Sequence, residues 1–116
     1  MSGFSKPTTV APPGGVVTHD RDKFTGPGDY TFTKCNTVII KKTVVEETNV
    51  FLPVTPVLGQ EYTVVDGKGD ASLNNITIDG NGYLINGMLT RVLISDYGSV
   101  VLFFDGEEYI VIGANP

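Results

Sequence analysis

From residue 29 onward the chain alternates short apolar runs with clusters of Gly, Pro, Asn and Asp. The runs are rich in Val, Ile and Thr, whose branched side chains lose rotamer freedom in helices and pack well on a pleated surface. No window carries the 3.6-residue apolar stripe of an amphipathic helix. Short runs bounded by turn residues predict strands. The pattern places them over 30–33, 37–41, 43–45, 49–52, 62–66, 75–78, 83–86, 91–95, 100–104 and 109–112. Pro53 and Pro56 lack ladder donors and force a break before the fifth run. Asp66-Gly67-Lys68-Gly69, Asp79-Gly80-Asn81-Gly82, Tyr97-Gly98 and Asp105-Gly106 read as turns, because Gly and Asn tolerate positive φ. The Asp-Gly pairs at 66, 79 and 105 lie 13 and 26 residues apart, which hints at a two-strand unit, a spacing that all-β chains share. The pattern predicts an all-β protein: a compact antiparallel β-sandwich or barrel-like domain over 29–116.

Several of these runs are apolar on both faces. Val100-Val101-Leu102-Phe103-Phe104 has no polar alternate, and Val92-Leu93-Ile94 and Tyr109-Ile110-Val111-Ile112 are similar. A sheet with one face in water alternates apolar and polar residues. Strands of the present kind need cover on two sides or they invite aggregation. A second sheet of the same chain covers one side. A neighbouring subunit under closed cyclic symmetry covers the other, the alternative being a compact monomeric sandwich. Val92, Ile94, Val101, Phe103, Tyr109 and Val111 are the candidate core and subunit-packing residues.

Residues 1–28 have a different texture, rich in Pro, Gly, Thr and Ser. Such a segment cannot offset its own ordering entropy. It is expected to be an extended or flexible N-terminal arm, either a frayed terminus or a docking arm that orders on a larger surface. Phe4, Pro7, Val10, Pro12, Pro13, Val16 and Val17 are the candidate docking residues.

Composition narrows the function. A net charge of −5, with Lys and Arg scattered, provides no cationic field for nucleic acid. The single cysteine, Cys35, forms no intramolecular disulfide, and a reducing folding compartment fits. The amino terminus lacks the apolar core of a signal peptide, and the longest apolar run is too short to span a bilayer. The only histidine, His19, lies in the polar arm, so a Ser-His-Asp or Cys-His arrangement is not expected. No Cys or His spacing suits a transition metal. Asp66-x-Lys68-x-Asp70 has calcium-loop spacing at its ends, but a lysine stands at the middle ligand position. Glu46-Glu47 and Glu107-Glu108 are adjacent pairs, which in strands point to opposite faces and cannot flank one glycosidic bond. The expectation is no catalytic residue, no cofactor and no metal.

Residues 52–112 carry a Leu-Pro start, Gly59-Gln60-Glu61-Tyr62-Thr63-Val64-Val65-Asp66, Gly69-Asp70-Ala71-Ser72, Asn75-Ile76-Thr77-Ile78, Asn86-Gly87, Tyr97-Gly98-Ser99 and a closing Asp105-Gly106 followed by Tyr109. This package resembles a module of tailed-bacteriophage structural proteins, among them head fibres, capsid decoration proteins, tail fibres and spikes. The resemblance implies a non-catalytic folding and packing unit that assembles as an intertwined homotrimer. At 116 residues the chain is shorter than most fibres and spikes. The expectation is therefore a trimeric capsid decoration, or cement, protein. It would be made in the bacterial host cytoplasm and carried on the capsid exterior. Its partners would be further copies of itself and the major capsid protein or another virion protein, without nucleic acid or membrane. A short tail-fibre, spike or adaptor component for host attachment is the alternative. More remotely, Ile76-Thr77-Ile78-Asp79-Gly80-Asn81-Gly82 looks like one rung of a parallel β-helix, the scaffold of many polysaccharide-degrading enzymes.

Overall fold

A computed structural model describes residues 21–115. They form nine strands and no helix: β1 (Arg21–Phe24), β2 (Tyr30–Thr31), β3 (Thr37–Ile40), β4 (Thr48–Phe51), β5 (Glu61–Asp66), β6 (Ile76–Asp79), β7 (Thr90–Leu93), β8 (Ser99–Phe104) and β9 (Tyr109–Asn115). The first six alternate between two sheets. β1, β3 and β5 pair in parallel in one, and β2, β4 and β6 pair in parallel in the other. The chain thus winds as a flattened coil, with each turn contributing one strand to each sheet. β7 then adds antiparallel to β6, and β8 and β9 add antiparallel beyond β5. The result is a five-stranded sheet, β1-β3-β5-β8-β9, facing a four-stranded one, β2-β4-β6-β7.

The all-β expectation is met, but the antiparallel arrangement is corrected: both sheets are mixed. The reason lies in what the turns connect. Asp105-Gly106 does close a hairpin, between β8 and β9. Asp66-Gly67-Lys68-Gly69 instead carries the chain from β5 across to β6 in the opposite sheet, and Tyr97-Gly98 carries it from β7 back to β8. Turn chemistry bends the backbone without dictating which sheet receives the next strand. The coil was hidden because its turns differ in length: parallel partners Arg21, Thr37 and Thr63 are separated by 16 and then 26 residues.

Two expected strands are absent. Residues 43–45 form a connection, pinned where the buried Lys42 ammonium donates to Gly28 O at 2.8 Å and to Glu47 O at 3.1 Å. Residues 83–86 form a tight turn whose Ile85 bridges Met88 and Tyr109. Conversely, β1 lies within the segment read as an arm. Pairing with β3 supplies its backbone partners, so the domain already includes Arg21.

The core lies between the sheets. Alternate residues point inward, giving Val38 and Ile40 on β3, Tyr62 and Val64 on β5, and Val100, Leu102 and Phe104 on β8. Val50, Ile76, Ile78 and Leu93 face them from the other sheet. A file of aromatic rings runs through this layer from the first coil to the last strand. Phe24, Tyr30, Phe32, Tyr62, Tyr109, Phe104 and Tyr83 follow one another at centroid separations of 5.1–6.1 Å. All are tilted or edge-on, the arrangement that aromatic quadrupoles favour.

Candidate interaction surface

The outer face of the five-stranded sheet follows from strand periodicity. If Val64, Val100 and Leu102 point inward, their neighbours Thr63, Val65, Val101 and Phe103 point outward. The register aligns them into rows. Arg21, Thr37, Thr63, Val101 and Gly113 cross the sheet in one row, and Lys23, Ile39, Val65, Ser99 and Asn115 in the next. Glu61, Phe103 and Ile110 make a third. Ile39, Val65, Val101, Phe103 and Ile110 are half-buried, and Ile39 lies against Gly67 of the β5–β6 connection. A register shift between Val101 and Leu102 bends the β8–β9 pair, and Ile112 stands 53% exposed beside it. Charge is confined to the margins, with Arg21 and Lys23 on the edge strand and Glu61 at the start of β5.

The outer face of the four-stranded sheet has another character. Asn49, Thr77 and Val92 share one row, and Phe51, Asp79 and Thr90 another. This is an ordinary solvated face.

The six candidate packing residues are therefore dispersed. Tyr109 is fully buried in the core, and Val111 packs against it. Val101 and Phe103 lie on the outer face of the five-stranded sheet. Val92, 39% exposed, lies on the outer face of the other sheet, and Ile94, 54% exposed, lies in the connection after β7. The seven candidate docking residues, Phe4 to Val17, lie outside the described residues, as does His19.

A second surface escaped the sequence reading. Val54, Val57 and Leu58 in the β4–β5 connection, and Met88 and Leu89 in the β6–β7 connection, are each 64–75% exposed. Leu84, on the latter connection, is also exposed. Both connections occupy the same end of the sandwich and carry no charge from Leu52 to Gln60 or from Gly80 to Leu89. They are tied down rather than loose. Asn81 Nδ2 donates to Leu52 O at 2.9 Å, Gly59 N to Phe104 O at 2.8 Å, and Gly87 N to Glu108 Oε1 at 3.0 Å. The signal available was the lack of charge over two apolar loops; it was read only as strand and turn.

The acidic candidates are engaged in holding loops. Asp66 is buried, and its carboxylate accepts four backbone N–H groups. The Glu46 carboxyl is held below its usual range by the hydrogen bond from Lys42 and by Gly28 N at 2.9 Å. Asp105 is lowered likewise by the backbone N–H groups of Glu108 and Glu107. Lys68 and Asp70 are 3.7 Å apart as an ion pair on the same loop. Cys35 borders an open cleft of about 220 Å³ shared with Lys34, Asn36, Pro53, Gln60 and Tyr62. Among the described residues no three His, Cys, Asp or Glu side chains are grouped as metal ligands.

No protein-family model matches the chain, and no curated protein matches it.

Proposed function

We propose that this chain is a non-enzymatic structural protein of a bacteriophage particle, acting as a homotrimeric capsid decoration protein. One observation carries the reading: β8 is apolar on both faces, with Val100, Leu102 and Phe104 in the core and Val101 and Phe103 half-buried on the outer face. An apolar patch of this kind, bordered by Arg21, Lys23 and Glu61, suits a surface covered by protein. The resemblance of residues 52–112 to a phage structural module supports the virion setting. The uncharged loops around Leu58 and Leu89 offer a further contact at one end, beside whatever residues 1–20 contribute. Several weak contacts presented together by one trimer would add through effective concentration, which suits attachment to a repeating lattice.

The test is the mass of the purified protein by light scattering, followed by sedimentation with empty heads of the phage that encodes it. A trimer that travels with the heads is the expected result. A trimer that ignores heads but binds tails or host cells would move the protein to the tail-fibre or adaptor role. The coil of β2, β4 and β6 is also the geometry on which the polysaccharide-degrading reading draws, and release of reducing ends from host polysaccharide would favour it.

A further inference from the structure

We propose that Tyr97 is the stacking platform of a binding site for neutral carbohydrate, on which a pyranose ring lies flat with its hydroxyls turned to Asp96, Asp70 and Ser72. The proposal stands apart from the self-assembly reading above.

The first observation is conformational. Tyr97 has φ of 58°, in the left-handed region where Gly or Asn is at ease and a bulky side chain is an outlier. Positions of this kind gather where a side chain is held out for a ligand. Tyr97 is also the exposed member of the five tyrosines, at 68%: Tyr30, Tyr62 and Tyr109 are buried and Tyr83 packs against the core. Its backbone is fixed. Tyr97 N donates to the buried Asp66 carboxylate at 3.0 Å, and Gly98 N closes the turn on Ser95 O at 2.9 Å.

The second observation is how the ring lies. A Cβ added at Gly69 would stand 2.3, 2.4 and 2.6 Å from Cζ, Cε2 and the hydroxyl oxygen of Tyr97. An approach to the ring's edge between those outer two atoms would bring them closer than Cζ. Cζ is the nearest, so Gly69 lies under the face of the phenol. The missing side chain at Gly69 makes room for the ring, and the opposite face is the one left to solvent. A fixed ring with one open face loses little freedom when a ligand stacks on it.

The third observation is what surrounds the ring. Asp96 and Asp70 stand one residue from Tyr97 and from Gly69 respectively. Ser72 N donates to Asp96 Oδ1 at 2.9 Å, which joins the β5–β6 and β7–β8 connections into one surface. Asp70 Oδ2 accepts Asn74 Nδ2 at 2.9 Å and lies 3.7 Å from the Lys68 ammonium. The C–H bonds on a pyranose face carry slight positive charge and suit the negative face of an aromatic ring. Its hydroxyls suit a few fixed carboxylate and hydroxyl groups at the border.

Other ligand classes fit less well. Phosphates and uronic acids would meet Asp70, Asp96 and a net charge of −5. A compact apolar ligand needs an enclosed pocket, and this ring is in the open. A guanidinium also stacks, but its fork needs both oxygens of one carboxylate, and Asp96 Oδ1 and Asp70 Oδ2 are already engaged. The loops around Leu58 and Leu89 are more apolar, yet they expose aliphatic side chains with no charged group among them and so lack the polar border a sugar requires.

The test is a titration of the full chain, followed by amide NMR shifts, with methyl β-galactoside, methyl α-glucoside and N-acetylglucosamine up to about 100 mM. One stacked ring and a few hydrogen bonds give a Kd on the order of millimolar. At least one sugar should move the amides of Gly69–Ser72 and Asp96–Gly98 while leaving those of Val54–Leu58 in place. Tyr97→Phe should keep the response. Tyr97→Gly keeps the N–H to Asp66, suits the positive φ and should abolish it. The wild-type shift map decides even if Tyr97→Gly fails to fold. No response to any of the three sugars would overturn the proposal, as would shifts elsewhere or binding that survives Tyr97→Gly. Shifts at Tyr97 with N-acetylarginine amide in place of the sugars would also overturn it, assigning the ring to a protein partner.

Discussion

The backbone N–H of Tyr97 donates to the buried carboxylate of Asp66 at 3.0 Å, across 31 residues of chain. The same carboxylate accepts Lys68 N and Gly69 N on one oxygen, and Ala71 N beside Tyr97 N on the other. Asp66 thus closes the β5–β6 connection and ties it to the turn before β8. The Tyr97 ring completes the arrangement by lying over Gly69, where a Cβ would come within 2.3 Å of it. Tyr97 itself has φ of 58°, a left-handed conformation that these contacts hold.

Asp66→Asn should therefore be costly despite its near-identical shape. The amide presents an NH₂ where two backbone donors expect an acceptor, and two shielded N–H groups lose their partner. A loss of about 2–4 kcal/mol is expected by urea denaturation. An unchanged midpoint would mean the loop holds without its central acceptor.

Gly80 sits where β6 ends, and an added Cβ would lie 1.7 Å from the Tyr83 carbonyl oxygen. Backbone cannot yield as a side-chain tip can. Gly80→Ala should destabilise the domain by about 3 kcal/mol or more, or prevent soluble expression. Gly82→Ala meets nothing within 4 Å and has only its positive φ to overcome, so it should cost about 1 kcal/mol.

The Tyr109 hydroxyl is buried with no hydrogen-bond partner. Tyr109→Phe removes a desolvated polar group from the middle of the aromatic file and should raise stability by about 1 kcal/mol in a thermal or urea melt. A loss of similar size would show that the hydroxyl finds a partner in solution.

Alkaline pH should unfold the protein. Burial pushes the Tyr30, Tyr62 and Tyr109 hydroxyls above their ordinary value, and for Tyr30 the nearby Asp22 carboxylate adds to the effect. With the folded value raised, the stabilisation is complete below the unfolded-state pKa and is lost as pH climbs past about 10. Urea midpoints should be flat from neutral pH to about 9 and fall beyond about 10. The fall should be shallower in Tyr109→Phe.

At low pH the sign reverses. Glu46, Asp96 and Asp105 have folded values below their ordinary ones. The causes are, respectively, the Lys42 hydrogen bond, the Ser72 backbone N–H, and the N–H groups of Glu108 and Glu107. Their contribution is present above the ordinary carboxylate range and disappears as pH drops through the folded values. A decline in the urea midpoint should begin below about pH 4, and salt should weaken it because all three groups are in water. Asp105→Ala should reduce the decline.

Eight of the nine strands were legible as short apolar runs with their turn residues. β8 is the clearest case: five consecutive apolar residues bounded by Gly98-Ser99 and Asp105-Gly106 admit little else. β1 was missed because Arg21-Asp22-Lys23-Phe24 has no apolar alternation; its strand conformation comes from pairing with β3. Residues 43–45 failed in the other direction. Thr43-Val44-Val45 has the composition of a strand, yet beyond the bond from Thr43 N to Thr25 O its backbone joins no ladder, and Val44 O accepts the Lys68 ammonium instead. Of the candidate packing set, Tyr109 and Phe103 look alike in sequence, both aromatic within apolar strands. Only the register separates them, sending Tyr109 into the core and Phe103 to the outer face.

What the sequence determined by itself was local: strand composition, the positions of turns, the scarcity of charge in β8 and β9, and hence an all-β chain with more apolar strand faces than one core can hide. These are properties of each residue and its near neighbours, fixed by side-chain shape, backbone freedom and hydration. What only the tertiary structure decided was which strand pairs with which, that the first six wind in parallel between two sheets, and which alternate residues of β5 and β8 are left facing outward. Those choices depend on contacts between residues distant in the chain. A one-residue shift in register would exchange the two faces of a strand at no cost to its local pattern.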